Sequence, residues 1–215
     1  GLLEDVDRHA SMAFKREGDL VVLLGADGIR GRVGDLAGSE YLELYKGLVA
    51  GRPRLDLALE AGVQALCRRL IGEGLVSSAH DCSEGGLAVA LVESCTAGGL
   101  GFTGQFSFKG RWDAAFFGEV QSRILVSLLP KALTELQGLA RESQVPVAVP
   151  AAVPVPAAAA PTPVASDITR SCAAGSGCVL TCLNMAAETV MTETATRAVR
   201  IISLSNGNSE FRMDN

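Results

Sequence analysis

Apolar and polar positions fall into successive blocks along the first 144 residues, and each block predicts one element. DLVVLLG, residues 19 to 25, is a continuous apolar run between an acidic residue and a glycine, the pattern of a strand buried on both faces. The next stretch, ADGIRGRVGDLAGSEY, carries four glycines and predicts a loop. Ser39 can then act as the N-cap of a helix that runs to about Ala50. The predicted inward side of that helix is Leu42, Tyr45, Leu48 and Val49.

The clearest helical pattern lies at residues 59 to 71, where apolar side chains recur at helical spacing with polar ones between them. The apolar positions are Leu59, Val63, Leu66, Cys67, Leu70 and Ile71. Burying six such side chains would contribute about 10 kcal/mol before chain entropy is counted. We therefore expect Leu66→Asp to unfold this region, and we expect Gly74 at the C′ position that ends the helix.

Strands and helices continue to alternate downstream. The pattern predicts strands at 75–80, 100–108 and 123–128, a helical turn near 112–116, helices at 87–95 and 131–142, and an optional edge strand at 145–149. The helix at 87–95 would bury Leu87, Ala90, Leu91, Ser94 and Cys95. This order predicts an α+β fold, an α/β sandwich with ferredoxin-like character in which one mixed sheet is covered by helices.

A second kind of sequence begins near residue 145. VPVAVPAAVPVPAAAAPTPVA lacks charge and carries most of the prolines of the chain, which disfavours a helix or a central strand. We predict a domain at 1–147, an Ala/Pro/Val-rich linker at 148–165 and a tail at 166–215 that is mainly disordered. Within the tail, 184–197 has a weak helical pattern and 199–204 a short strand pattern.

Cysteine spacing in the tail does not favour a metal site. Cys172, Cys178 and Cys182 follow C-x5-C-x3-C, whereas zinc sites usually show paired C-x2-4-C or histidine spacings. The other cysteines, Cys67, Cys82 and Cys95, fall in predicted helices or at a helix start, which favours reduced thiols.

Composition narrows the classes of function. The net charge of -5 disfavours nucleic-acid binding, which needs clustered Lys and Arg. The sequence has no apolar run long enough for a membrane span and no signal-peptide profile, so we expect a cytoplasmic protein without membrane contact.

The densest cluster of reactive side chains is HDCSEGG, residues 80 to 86, at a predicted strand-to-helix turn. Ser83 can cap the helix, and Gly85 and Gly86 leave the first N–H groups accessible, so Asp81, Ser83, Gly85 and Gly86 are candidate contacts to a phosphate or nucleotide. The alternative is a capped turn in which Asp81 bonds local backbone. A catalytic pair of Cys82 and His80 is less favoured, because no third orienting residue is evident.

Two other segments are weaker candidates. The glycine-rich segment lacks the GK[ST] of a Walker A motif and the G-x-G-x-x-G of a dinucleotide site, which leaves a lid as its possible role. FGEVQSR places Glu119, Gln121 and Arg123 on one side of an incoming strand, where they are either ligand contacts or edge residues with a solvated arginine.

Four blocks together resemble a known family. EGDLVVLLG, AGSEYLELYKGLVAGRPRLDL, SAHDCSEGGLAVALVESC and FGEVQSRILVSL occur in the order found in the last domain of phosphoribosylformylglycinamidine synthases of the PurL type, within the AIR synthetase-like superfamily. The resemblance implies the fold of the AIR synthetase C-terminal domain. It also implies an ATP- and Mg2+-dependent ligase that converts formylglycinamide ribonucleotide to the formylglycinamidine with glutamine-derived ammonia.

The resemblance implies partners as well as chemistry. In that family the catalytic groups and most nucleotide and Mg2+ ligands belong to N-terminal-like domains, so we expect no catalytic or metal-binding residue in this chain. Expected partners are the remaining synthase domains, a glutaminase subunit and the small ribonucleotide substrate. The alternatives are a catalytically silent binding or scaffold module, or another ATP-dependent member of the superfamily.

Three departures from the family pattern qualify this interpretation. Cys82 stands where the family commonly has Val, Glu84 where it has Asp, and Val120 where it has a small residue. After about residue 147 the sequence leaves the pattern, which suggests a truncation or a reading-frame change.

Overall fold

Strands and helices interleave along the part of the chain that the computed structural model describes, residues 5–26, 28–156, 170–171 and 177–182. The strands are β1 Leu20–Leu24, β2 Ile29–Gly31, β3 Ser78–Asp81, β4 Leu100–Gly110, β5 Ile124–Leu128, β6 Val147–Ala148, β7 Ala151–Pro156, β8 Arg170–Ser171 and β9 Gly177–Cys182. The α-helices are α1 Glu40–Lys46, α2 Leu57–Gly72, α3 Gly86–Gly98, α4 Trp112–Phe117 and α5 Leu133–Glu142. Short 3-10 turns span Val33–Leu36 and Pro130–Ala132.

The first sheet has four strands in the order β3-β5-β1-β6, and its neighbours are antiparallel. Successive residues of β1 point to opposite faces, as a pleated strand requires. Val22 and Leu24 pack in a cluster with α2 and α5, whereas Val21 and Leu23 pack in a second cluster with α3 and α4. The strand predicted at residues 19 to 25 is therefore buried on both faces, as expected.

The second sheet is built around β4, the longest strand of the described part. β7 and β9 both run antiparallel to β4, and residues 102–105 of β4 pair with each of them. Because a strand has only two edges, β7 and β9 lie on opposite sides of β4. β2 runs parallel to the end of β4, and β8 pairs with β9. Phe102 and Phe106 of β4 are fully buried and pack with rings from the neighbouring elements.

The helix that the sequence pattern predicts at residues 59 to 71 is confirmed as part of α2. The Asp56 carboxylate caps it by accepting hydrogen bonds from the N–H groups of Ala58 and Leu59, at 3.0 and 3.1 Å. Val63, Leu66, Cys67 and Leu70 are buried, and Leu59 and Ile71 are partly buried against the same cluster. Gly74 follows the helix with φ of +68°, which fits its predicted position beyond the helix end.

The predicted α+β architecture is confirmed, but the strands divide between two sheets where the pattern favoured one. The predicted glycine loop also contains β2, which is too short to show an alternating pattern. Gly31 makes that pairing possible, since a Cβ there would lie 1.7 Å from the Arg111 carbonyl oxygen.

The helix expected to reach Ala50 is shorter than predicted. α1 ends at Lys46 because Gly47 adopts a left-handed conformation with φ of 60°. Leu48 and Val49 therefore lie beyond the helix and are exposed, while Tyr41, at the start of the helix, provides the buried contact. The prediction of Leu48 and Val49 on an inward helix face was wrong.

The expected linker at 148–165 is also corrected in its first part. Residues Ala151–Pro156 form β7, in register with β4 from Leu100↔Pro156 to residue 105. Proline has no N–H to donate to a strand ladder, and an edge strand such as β7 tolerates this because, among the described strands, only one of its sides is paired. The remainder of the linker, the helix expected at 184–197, the strand expected at 199–204 and Cys172 lie outside the described residues. Cys178 and Cys182 belong to β9.

Candidate functional site

The HDCSEGG segment joins β3 to α3, as predicted, but the helix begins later than its sequence suggested. Gly85 is the N-cap residue, with φ of 74°, and no side chain of the segment caps α3. The left-handed geometry at Gly85 places Ser83 in the preceding turn, where its carbonyl oxygen accepts from the Gly86 N–H at 3.1 Å. The prediction that Ser83 caps the helix was therefore wrong.

Asp81 and Ser83 interact with each other at the exposed side of this turn. The Ser83 hydroxyl donates to the Asp81 carboxylate and, together with local backbone and His80, lowers the pKa of that carboxyl. A carboxylate bonded to its own turn is the arrangement expected of a capped turn. Both side chains remain exposed, so they are accessible from solvent.

Gly85 and Gly86 are buried, unlike the two residues before them. A Cβ on Gly86 would lie 2.7 Å from the Gly118 carbonyl oxygen and 2.9 Å from that of Phe116. This close approach leaves no room for a side chain at Gly86.

The Gly85 and Gly86 N–H groups, which were expected to be free for a phosphate, are both bonded within the chain. The Gly86 N–H donates to the Ser83 carbonyl oxygen, and the Gly85 N–H donates to a carboxylate distant in sequence.

That distant carboxylate belongs to Glu119. Its Oε1 accepts from the Gly85 N–H at 2.8 Å and from the Glu40 N–H, at the start of α1, also at 2.8 Å. Burial raises the pKa of Glu119, while the two N–H bonds act in the opposite direction. The sequence placed Glu119 among weaker candidates, because nothing in one sequence indicates that FGE folds back onto two helix starts.

His80 and Cys82 do not form a nucleophile and base. His80 Nε2 lies 2.8 Å from Glu93 Oε2 and Nδ1 lies 3.5 Å from Asp81 Oδ1, and the Glu93 bond chiefly raises the His80 pKa. Cys82 is 3% exposed, and burial raises its pKa to about 11. The thiol is thus protonated and packed in the core, as expected for a packing residue. Glu93, which the sequence pattern did not single out, is the one charged residue of α3.

Arg123 is buried, which excludes the alternative of a solvated arginine at the edge. Its guanidinium donates to the Gly118 carbonyl oxygen, and burial lowers its pKa. Gln121 is exposed, whereas the neighbouring Ser122 hydroxyl donates to Glu60 Oε2 at 2.6 Å. Side chains of the FGEVQSR segment therefore form hydrogen bonds that hold the fold together, and a period-two sequence pattern alone does not reveal such bonds.

The glycine-rich segment that the sequence suggested as a lid forms a short strand and a turn. β2 and the turn Val33–Leu36 follow each other there, and the Asp35 carboxylate lies 3.3 Å from the Arg54 guanidinium.

In the described part of the chain, no group of three or more His, Cys, Asp or Glu side chains is placed to hold a metal ion. Within the same residues, no helix is both long and apolar enough to cross a membrane.

Comparison with known proteins places this architecture in a family. Residues 16–154 match the family described as AIR synthase related protein, C-terminal domain. The match covers β1 to most of β7 and so includes both helix starts that meet at Glu119.

Curated relatives resemble the chain over the same region. The phosphoribosylformylglycinamidine synthase subunit PurL of Moorella thermoacetica is 48% identical over 146 residues, which cover 67% of this chain and 19% of that protein. The subunit of the same name from Synechococcus sp. (strain JA-2-3B'a(2-13)) is 50% identical over 132 residues, covering 60% and 17%. The chain thus spans about a fifth of the length of these relatives.

Solved structures agree on the fold. T. maritima PurL complexed with FGAR superposes with a TM-score of 0.56 at 23% identity, covering 70% of this chain and 26% of that one. T. maritima PurL complexed with ATP gives a TM-score of 0.53 at 19% identity, covering 70% and 24%. From the match over residues 16–154, the chain belongs to the AIR synthase related protein, C-terminal domain family.

Proposed function

We propose that this chain serves as the C-terminal domain of a phosphoribosylformylglycinamidine synthase. The whole enzyme would convert formylglycinamide ribonucleotide to formylglycinamidine ribonucleotide, using ATP and glutamine-derived ammonia. The observation that carries the proposal is the 48% identity over 146 residues to a PurL subunit. Because the chain matches only 19% of that subunit, the activity requires the remaining parts of the synthase.

The residues of the chain support a binding and structural role within that enzyme. Cys82 is a protonated, buried thiol and His80 is bonded to a carboxylate, so neither is an activated catalytic group. Asp81 and Ser83 are exposed and form the accessible edge of the turn, where they can contact a phosphate or nucleotide of the substrate or of ATP. Gly85 and Gly86 can join this contact through backbone N–H groups only if Glu119 or Ser83 gives up its bond.

Mg2+ is usually held by one or two carboxylates together with substrate phosphates and water, and within the described residues no cluster of three or more acidic, histidine or cysteine side chains is placed to hold a metal ion. In the proposed enzyme, the family resemblance assigns the Mg2+-dependent ATP chemistry to the other parts of the synthase.

The proposed partners follow from the same assignment. They are the remaining synthase domains and a glutaminase subunit that supplies ammonia, in the cytoplasm where soluble ribonucleotides are found. A solved structure of PurLQS from Thermotoga maritima supports assembly with further subunits.

A domain exchange tests this function. The matched segment of M. thermoacetica PurL is replaced by residues 16–154 of this chain, and formation of formylglycinamidine ribonucleotide is measured with ATP, ammonia and the ribonucleotide. We expect the exchanged synthase to be active and the 215-residue chain alone to be inactive. Arg68→Ala in the exchanged segment, on the exposed side of α2, is the control that should keep activity.

Two results would contradict the proposal. A folded but inactive exchanged synthase would favour a silent scaffold module or a different acceptor for the phosphoryl group. Turnover by the chain alone would show that its own residues are catalytic, against the geometry of His80 and Cys82.

A further inference from the structure

One oxygen atom, Oε1 of Glu119, links two helices that are far apart in sequence. It accepts from the N–H of Glu40, 79 residues earlier, and from the N–H of Gly85, 34 residues earlier, each at 2.8 Å. The two donors begin α1 and α3. Three of the blocks that resemble the family pattern, AGSEY, HDCSEGG and FGEVQSR, therefore meet at this carboxylate.

Local capping does not supply these bonds. α3 has no side-chain cap of its own, since its N-cap residue is Gly85. In α1 the Ser39 hydroxyl accepts from the N–H of Leu42, at 3.3 Å, which leaves the Glu40 N–H for Glu119. Glu119 therefore accepts hydrogen bonds from the N–H groups at both helix starts, as a capping residue does, although it is distant from both in sequence.

The segment that carries Glu119 is held on both sides. Gly118, immediately before it, accepts a hydrogen bond through its carbonyl oxygen from the Arg123 guanidinium. Ser122, three residues after it, donates to Glu60 of α2 at 2.6 Å. These hydrogen bonds anchor the backbone before and after Glu119, so its carboxylate reaches both helix starts from a fixed segment.

The electrostatic setting makes a carboxylate costly at this position. Burial and the nearby acidic side chains of Glu40 and Glu84 all raise the Glu119 pKa. The two backbone N–H bonds oppose that effect. The hydrogen bonds from the Glu40 and Gly85 N–H groups favour the charged form of Glu119, and they explain why a carboxylate is present there despite burial and the neighbouring acidic side chains.

We propose that Glu119 is a positioning residue that fixes the starts of α1 and α3 as one unit. The turn before α1 and the turn before α3 then keep a constant relative position, and any ligand contact from either turn depends on Glu119. The dependence of ligand contacts rests on the proposed function, whereas the coupling of the two helices does not.

Amide hydrogen exchange in the full 215-residue chain, followed by NMR, tests the coupling. In Glu119→Ala we expect the amides of Glu40 and Gly85 to exchange about tenfold faster, because both lose their acceptor. In Glu119→Gln we expect protection of both amides to be largely kept, since the amide oxygen still accepts. Exchange at the core residues Leu66 and Val126 should stay unchanged in both variants.

Arg68→Ala, an exposed change on α2 away from both helix starts, is the control and should leave both amides protected. Glu119→Asp, which withdraws the acceptor by one methylene, provides the test if Glu119→Ala fails to fold, and should affect both amides together.

Three results would overturn the proposal. These are faster exchange at only one of the two amides, faster exchange at the core amides to the same degree, and loss of protection in Glu119→Gln equal to that in Glu119→Ala or Glu119→Asp. Since no ligand is used, an inactive exchanged synthase would leave this result standing, and the two hypotheses fail separately.

Discussion

The imidazole of His80 lies between two carboxylates, so its charge is stabilised in the folded chain. The hydrogen bond to Glu93 is the largest cause that raises its pKa, opposed by burial and assisted by Asp81. Because the folded pKa exceeds the ordinary value of 6.5, the interaction stabilises the fold fully below that pH. The stabilisation is lost as pH rises through the raised pKa.

Glu93→Gln is expected to reduce this pH dependence, because Asp81 alone then raises the His80 pKa. At about pH 5.5 the variant should be less stable than the original chain by roughly 0.5–1 kcal/mol, a modest value because Glu93 is partly exposed. At about pH 9, where the imidazole is neutral, the two should be nearly equal. Denaturant unfolding at both values of pH measures the difference, and an equal loss at the two would contradict the charge-based account.

The thiol of Cys82 allows a second test at the scale of one residue. It is buried and its pKa is raised to about 11 by burial, so we expect it to resist alkylation in the folded chain at neutral pH. Mass spectrometry after iodoacetamide treatment identifies the labelled cysteines. Cys82 should become labelled only on addition of denaturant, and rapid labelling of the folded chain would disprove its place in the core.

Among the elements, α2 packs with α5 on one face of the first sheet. Leu66 is 1% exposed and lies in the cluster that joins α2, α5 and one face of β1 and β5. Leu66→Ala should therefore cost about 2–5 kcal/mol of unfolding free energy, through lost burial and a residual cavity. Arg68→Ala on the exposed side of the same helix should change stability by less than about 0.5 kcal/mol. Urea unfolding monitored by circular dichroism compares them.

Elements with a strong period were predictable from sequence, and the exceptions have identifiable physical causes. α2 shows its apolar face in sequence because one side meets the core and the other meets solvent. α3 is buried on nearly every side, so the sequence located the helix but not the polar contact of Glu93 with His80. β2 depends on the absence of a side chain at Gly31, where the Arg111 carbonyl oxygen leaves no room for a Cβ, and the sequence of β2 alone does not reveal that requirement.

The candidate site was only partly predictable for a related reason. HDCSEGG does form a strand-turn-helix junction, and Asp81, Ser83, Gly85 and Gly86 do lie together in it. Their partners come from elsewhere, since Glu119 is 34 residues from Gly85 in the chain. Hydrogen bonds over such separations leave no periodic signal in one sequence.

At the scale of the molecule, β7 extends the folded unit beyond the predicted boundary at residue 147. A chain that ends at residue 156 keeps β7, whereas one that ends at 150 loses its pairing with β4 and the bond from the Gly18 N–H to the Pro154 carbonyl oxygen. We expect the shorter chain to be less stable by a few kcal/mol, at about 1 kcal/mol net for each lost hydrogen bond. Both truncations lack β8 and β9, so their difference in thermal unfolding isolates β7 at protein concentrations where light scattering shows both to be monomeric. Equal stability would place the boundary at 147 after all.

The position of β4 has a consequence for self-association. A strand with a free edge presents unpaired N–H and C=O groups that can template pairing with another chain. Residues 102–105 of β4 are paired on both sides, by β7 and by β9, and so offer no such template. Removal of both flanking strands would uncover a long strand rich in phenylalanine, and the resulting chain should form intermolecular sheets where the intact chain does not.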